Sequence, residues 1–109
     1  MPRVAALAPD LFFATKIDAA LSAAGYEVTI VSTPDQLSVG GDPWDVVIVD
    51  LDAVTPVGVP HDAPRLGFYS HVDVETKERA VEAGFDLVVP RSRMAREMPE
   101  LVARLLASG

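Results

Sequence analysis

The sequence predicts an α/β fold built on a parallel sheet, and two observations carry that prediction. Short apolar, β-branched runs alternate along the chain with segments of helical spacing. One run, Trp44-Asp45-Val46-Val47-Ile48-Val49-Asp50, is apolar without alternation, as a strand buried on both faces must be. Regular alternation of strand and helix implies right-handed crossovers and helices on both faces of the sheet. The 109 residues fit one domain, 1–109, and half are hydrophobic, enough for its core.

Arg3 to Ala8 reads as the first strand, ended by Pro9-Asp10. Asp10 is placed to cap a helix from Leu11 to about Ala24, its carboxylate accepting from free N–H groups of the first turn. Leu11, Phe13, Ile17, Ala20, Leu21 and Ala24 recur near helical spacing, and Gly25 provides a left-handed stop. Tyr26 to Val31 is the second strand. Thr33-Pro34-Asp35-Gln36 opens a short second helix with Thr33 as cap, Pro34 at the first helical position and Gln36 completing a capping box. Gly40-Gly41-Asp42-Pro43 breaks that helix; with no lysine or helix after it, it is a turn and not a phosphate loop.

Val46 to Asp50 is the third strand. From Ala53 to Pro64 the prolines and glycine at 56, 58, 60 and 64 are too close for a stable helix, so an extended loop is expected. Leu66 to Ser70 is a fourth strand, followed by a helix capped by Asp73 or Ser70 and closed near Ala83 by Gly84. Asp86 to Val89 is a fifth strand, and Ser92 to about Ala107 a last helical region interrupted or restarted at Pro99.

Charge and composition remove several functions. Nine basic and 16 acidic residues leave a formal net charge of -7, which argues against nucleic acid as a partner, because that binding rests on neutralising phosphates. It gives no support for an anionic membrane surface. No cysteine is present, so disulfides, thiolate metal sites and cysteine nucleophiles are excluded, and with only His61 and His71 a histidine-rich metal site is not expected. The start of the chain passes directly into a strand-like run, and no apolar stretch approaches membrane-spanning length, so a soluble cytoplasmic protein is expected.

Chemistry on an open parallel sheet gathers outside the carboxyl ends of the strands. Asp50 ends the most buried strand there. Ala23-Ala24-Gly25-Tyr26-Glu27-Val28, then Trp44 to Leu51, then Ala80-Val81-Glu82-Ala83-Gly84-Phe85-Asp86, in this order and spacing, resemble a bacterial response-regulator receiver domain over nearly the whole chain. The resemblance implies a flavodoxin-like, doubly wound five-stranded parallel sheet of order 2-1-3-4-5, here with the third helix shortened or replaced by a loop. It also implies phosphoryl transfer to an aspartate, with Mg²⁺ held by acidic residues after the first strand, a hydroxyl after the fourth strand and a lysine after the fifth. Carried over by position, the acceptor is Asp50 and the hydroxyl is Ser70.

The remaining positions depart from that pattern. The acidic pair falls on Ala8 and Pro9, with Asp10 one position further on; the lysine becomes Arg91, the proline after it Ser92, and the aromatic of the fifth strand Val88. Without a metal, an aspartate facing a phosphoryl donor meets like-charge repulsion. The expectation is therefore a degenerate receiver, a stand-alone signalling module that acts by protein–protein contact without phosphorylation, catalysis or an obligatory cofactor. Arg91 is expected to pair with Asp50, its planar fork favouring a bidentate carboxylate contact. Two alternatives stay open. A Mg²⁺-dependent phospho-acceptor would use Asp50, with Asp10 swung in as a metal ligand and Asp52 as a further one. A small-molecule binder would use the strand-end crevice near Asp10, Asp50 and Ser70.

Expected partners are proteins, such as a kinase or an output protein. Arg91, Arg93, Arg96 and Arg104, with Lys77, Arg79 and Val88, would form a positive docking face. The loop from Ala53 to Pro64 would leave part of one sheet face to Val54, Val57 and Val59 or to a second subunit, and a homodimer through that side is expected. Ser70-His71 is not a nucleophile–base pair, since neighbours on a strand point to opposite faces.

Overall fold

The computed structural model describes residues 2–38, 44–53, 63–70 and 74–108. Five strands form one parallel sheet: β1 (Arg3–Leu7), β2 (Glu27–Val31), β3 (Val46–Asp50), β4 (Arg65–Tyr69) and β5 (Leu87–Pro90). Their order is β2-β1-β3-β4-β5, as expected. The helices are α1 (Leu11–Ala23), α2 (Val74–Glu82) and α3 (Arg91–Ser108).

Alternate residues of the central strands feed two cores. Ala6, Ile48 and Phe68 pack with Phe13, Ile17 and Leu21 of α1 and with Met94, Met98 and Leu101 of α3. Ala5, Leu7, Val47, Val49 and Tyr69 face the other way, against Leu37, Leu51, Ala80 and Phe85. Every residue of β3 and β4 is buried, which is why β3 shows no apolar–polar alternation. Register then aligns the carboxyl ends. Leu7 lies beside Val31 and Val49, Asp50 beside Phe68, and Phe68 beside Val89. The residues that leave β1, β3, β4 and β5 thus meet on one edge.

The structure adjusts several sequence expectations. The second helix is a 3-10 turn, Pro34–Ser38, because five residues are too few for α-helical cooperativity. Half of the capping box forms, with Gln36 Oε1 accepting from the backbone N–H of Thr33 at 3.1 Å and of Ser32 at 2.6 Å. β4 runs from Arg65 to Tyr69, so Ser70 lies just beyond it. α3 begins at Arg91 and carries a kink at Glu97 (φ -119°, ψ 17°). Pro99 explains it: its ring crowds the carbonyl four residues back and it offers no N–H. Residues 54–62 and 71–73 lie outside the described residues, and with them the expected loop, the dimer face of Val54, Val57 and Val59, His61, His71 and the Asp73 cap.

Two glycines close helices with positive φ, Gly25 at 94° and Gly84 at 90°. They differ in surroundings. A Cβ on Gly25 would meet open space, whereas one on Gly84 would lie 2.8 Å from Arg65 Nη2. That guanidinium is buried, stacks 4.6 Å from the Phe85 ring centroid and donates to the Ala83 carbonyl at 2.6 Å. Gly25→Ala should therefore cost about 1–2 kcal/mol from backbone strain alone. Gly84→Ala should cost more, because Arg65 must also yield; urea unfolding of the two variants measures the difference.

Candidate functional site

Four segments deliver charged or polar side chains to the carboxyl edge of the sheet. Asp10 follows β1 and caps α1, its Oδ1 accepting from Phe12 N–H at 3.0 Å. Asp50 ends β3 and is 2 % exposed; its Oδ1 accepts from Asp52 N–H at 3.0 Å. Each carboxylate thus gives one oxygen to the turn that follows it and keeps the other free. Arg91, the first residue of α3, takes both remaining oxygens: Nη1 donates to Asp10 Oδ2 and Nη2 to Asp50 Oδ2, each at 3.2 Å.

The guanidinium has aromatic walls. Its carbon lies 4.7 Å from the Phe13 ring centroid and 5.5 Å from that of Phe68, and these two rings pack against each other at 4.7 Å. Nε is buried without a hydrogen-bond partner, and the electron-rich ring faces offset part of that loss. Arg91 keeps partial access to solvent, with 28 % of its side chain exposed.

Asp52 completes the cluster. Its Oδ2 accepts from Ser70 N–H at 2.8 Å and from the Ser70 hydroxyl, and lies 4.0 Å from Arg91 Nη2. Ser70 is therefore engaged with Asp52.

Electrostatics separate the two carboxylates held by Arg91. The guanidinium holds the Asp10 carboxyl below its ordinary value, and N–H groups of Phe12 and Phe13 act in the same sense against some desolvation. For Asp50 burial dominates and pushes the carboxyl up, although the Asp52 N–H and the Arg91 charge oppose it.

The expected residues are thus gathered, with corrections. Arg91 pairs with Asp50, but its fork is split between two carboxylates. Asp10 does come into the site, and it comes to Arg91. The Asp10 and Asp50 oxygens that would face a cation are bonded to the guanidinium. Among the described residues no group of three or more His, Asp or Glu is placed to hold a metal ion. A Mg²⁺ ion, which needs near-octahedral oxygen ligation at close range, does not fit this donor set as arranged. The positive face is also muted: Arg93 and Arg96 both pair with Glu97, at 3.2 and 3.5 Å, and Arg79 pairs with Glu75 at 3.5 Å.

The Asp52–Ser70 pair and the aromatic support of Arg91 were not read from the sequence. The spacing Asp50-Leu51-Asp52 was a signal for the first, since a turn two residues after a strand end can reach the neighbouring strand. Beside the cluster, a recess of about 420 Å³ opens between the starts of α1 and α3, lined by Phe12, Phe13, Lys16, Arg91, Ser92 and Ala95 among others. Leu11 and Phe12 beside it are 78 % and 87 % exposed. Among the described residues no helix is long and apolar enough to cross a membrane.

No protein-family model and no curated protein sequence matches the chain. Solved structures do. A CheY-like response-regulator receiver domain from Methanospirillum hungatei superposes with a TM-score of 0.84 at 15 % identity, over 99 % of this chain and 95 % of that one. A response regulator from Thermotoga maritima gives 0.79 at 17 % identity, over 98 % of each chain. A third, from Burkholderia pseudomallei, was solved with a phosphorylated aspartic acid, a calcium ion and citrate; it gives 0.75 at 18 % identity, over 99 % of this chain and 72 % of that one. At these identities the likeness is one of fold: the chain has the fold of receiver domains.

Since burial raises the Asp50 pKa above 3.8, ionisation is easier in the unfolded chain, and its contribution to stability falls as pH rises through the folded value. Asp50→Asn should therefore be more stable than the wild type at neutral pH, with the advantage shrinking as pH falls toward 3.8; thermal unfolding across pH checks this. Arg91→Ala should raise the pKa of both Asp10 and Asp50, measured by carboxyl-carbon NMR titration. It should also destabilise the fold by roughly 1–3 kcal/mol, as a buried acceptor loses its charged donor; unchanged titrations would refute the electrostatic account.

Proposed function

We propose that this chain is a receiver-like signalling module that works through protein–protein contact without being phosphorylated. The observation that carries this reading is the Arg91 guanidinium bridging Asp10 and Asp50. Transfer of a phosphoryl group to Asp50 would need a carboxylate oxygen free to attack and a cation to offset the incoming charge. Here one Asp50 oxygen is held by the Asp52 N–H and the other by Arg91, while the Ser70 hydroxyl is held by Asp52. The solved relative with a phosphorylated aspartic acid and a calcium ion has the same fold; in this chain a side chain supplies the positive charge. No catalysis is assigned to the site, and the net charge of -7 supports protein partners over nucleic acid. A kinase or an output protein is the proposed kind of partner, in the cytoplasm.

A second reading rests on the recess beside Arg91, which could take a small molecule; saturable ligand-dependent rises in melting temperature would favour it. The deciding experiment is incubation of the wild type with acetyl phosphate and Mg²⁺, followed by intact mass. The expected result is no added phosphate. A phosphate gain that disappears in Asp50→Asn would establish the Mg²⁺-dependent phospho-acceptor instead.

A further inference from the structure

Ser70 sits one residue past β4 and presents two donors, its backbone N–H and its hydroxyl. Both reach a single atom, Asp52 Oδ2, the N–H at 2.8 Å. Arg91 Nη2 lies 4.0 Å from the same oxygen. An amide, a hydroxyl and a cation converging on one anionic oxygen are the components of an oxyanion site. The ligand is delivered by the chain itself. Asp50 O accepts from Ala53 N–H at 3.2 Å and Asp50 Oδ1 from Asp52 N–H at 3.0 Å. This doubly bonded turn carries the Asp52 carboxylate from the end of β3 across to the end of β4.

We propose that Ser70 and Arg91 form an oxyanion-binding site whose resident ligand is the Asp52 carboxylate, tethered so that it closes the site to anions from solution. The proposal deepens the phosphorylation-independent reading and rests on it for its biological meaning: the module carries its own anion where a signal-borne one would bind. Tethering gives Asp52 an effective concentration that a free anion cannot match. Charge adds to the selectivity. Asp10 and Asp50 lie around the same guanidinium, so a dianion entering from solution meets more repulsion than a monoanion does.

The test removes the tethered ligand and offers a free one. The full chain is labelled with ¹⁵N as wild type and as Asp52→Ala, and titrated with sodium formate, with sodium chloride at equal ionic strength and with inorganic phosphate. In Asp52→Ala, formate should move the Ser70 amide and the Arg91 side-chain resonances toward their wild-type positions in a saturable way. Chloride should not, phosphate should bind more weakly, and the wild type should not respond. Asp52 is exposed at a turn, so the variant is expected to fold; Asp52→Ser supports the same titration if Ala at that position does not. A variant with no formate-specific shift would overturn the proposal, as would a wild type that responds as strongly as the variant. Incubation of the wild type with acetyl phosphate decides the other question separately. Phosphate gained on Asp50 would sink the functional reading and leave a formate-binding variant standing as evidence of the oxyanion site.

Discussion

The site depends on one guanidinium. Arg91 begins α3 and ties it to the N-cap of α1 through Asp10 and to the end of β3 through Asp50. It also covers Phe13 and Phe68, which join α1 to β4. Without it, Asp10, Asp50 and Asp52 would gather at the strand ends without the cation that now lies against all three. Burying a carboxylate such as Asp50 is unfavourable unless it is paired and hydrogen-bonded. The arrangement meets both needs with one side chain, whose planar fork places separate nitrogens on the two carboxylates.

That economy couples positions far apart in sequence. Losing Arg91 strands a buried carboxylate; losing Asp50 leaves half the fork without a partner. The effect of a substitution at 10, 50 or 91 therefore depends on the other two positions, and such effects are not additive. The aspartate at the end of β3 thus has a structural role: it is a counter-ion of the arginine that begins α3.

Much of this was legible in the sequence because it rests on local rules. Asp10 before Leu11 announced a cap, Gly25 and Gly84 announced positive φ, and the unbroken apolar run to Asp50 announced a strand buried on both faces. The strand order came from resemblance to receiver domains and held. Strand and helix ends moved by about a residue, as the terminal turns fray between assignments. What could not be read was set by side-chain reach across the sheet. Whether Arg91 puts both arms on Asp50 or divides them depends on where the α1 cap leaves a free oxygen. The Asp52–Ser70 contact depends on how the turn after β3 bends. The second helix failed as an α-helix because its capping residues promised a start, and length decided the outcome.

The strands of the sheet are unequally buried, and this orders the way the molecule opens. β2 is an edge strand that buries only Val31, and on one face its described cover is the short turn that brings Leu37. β3 and β4, by contrast, are enclosed throughout. Free energy of local opening follows buried contact, so amide protons of β2 should exchange through small fluctuations and those of β3 and β4 only through global unfolding. Asp50 and Ser70 sit at the ends of β3 and β4, the strands expected to exchange slowly. Breathing at the β2 edge can therefore proceed while Arg91, Asp50 and Ser70 keep their places, and the molecule separates a tolerant edge from an enclosed, charged strand end within one small sheet.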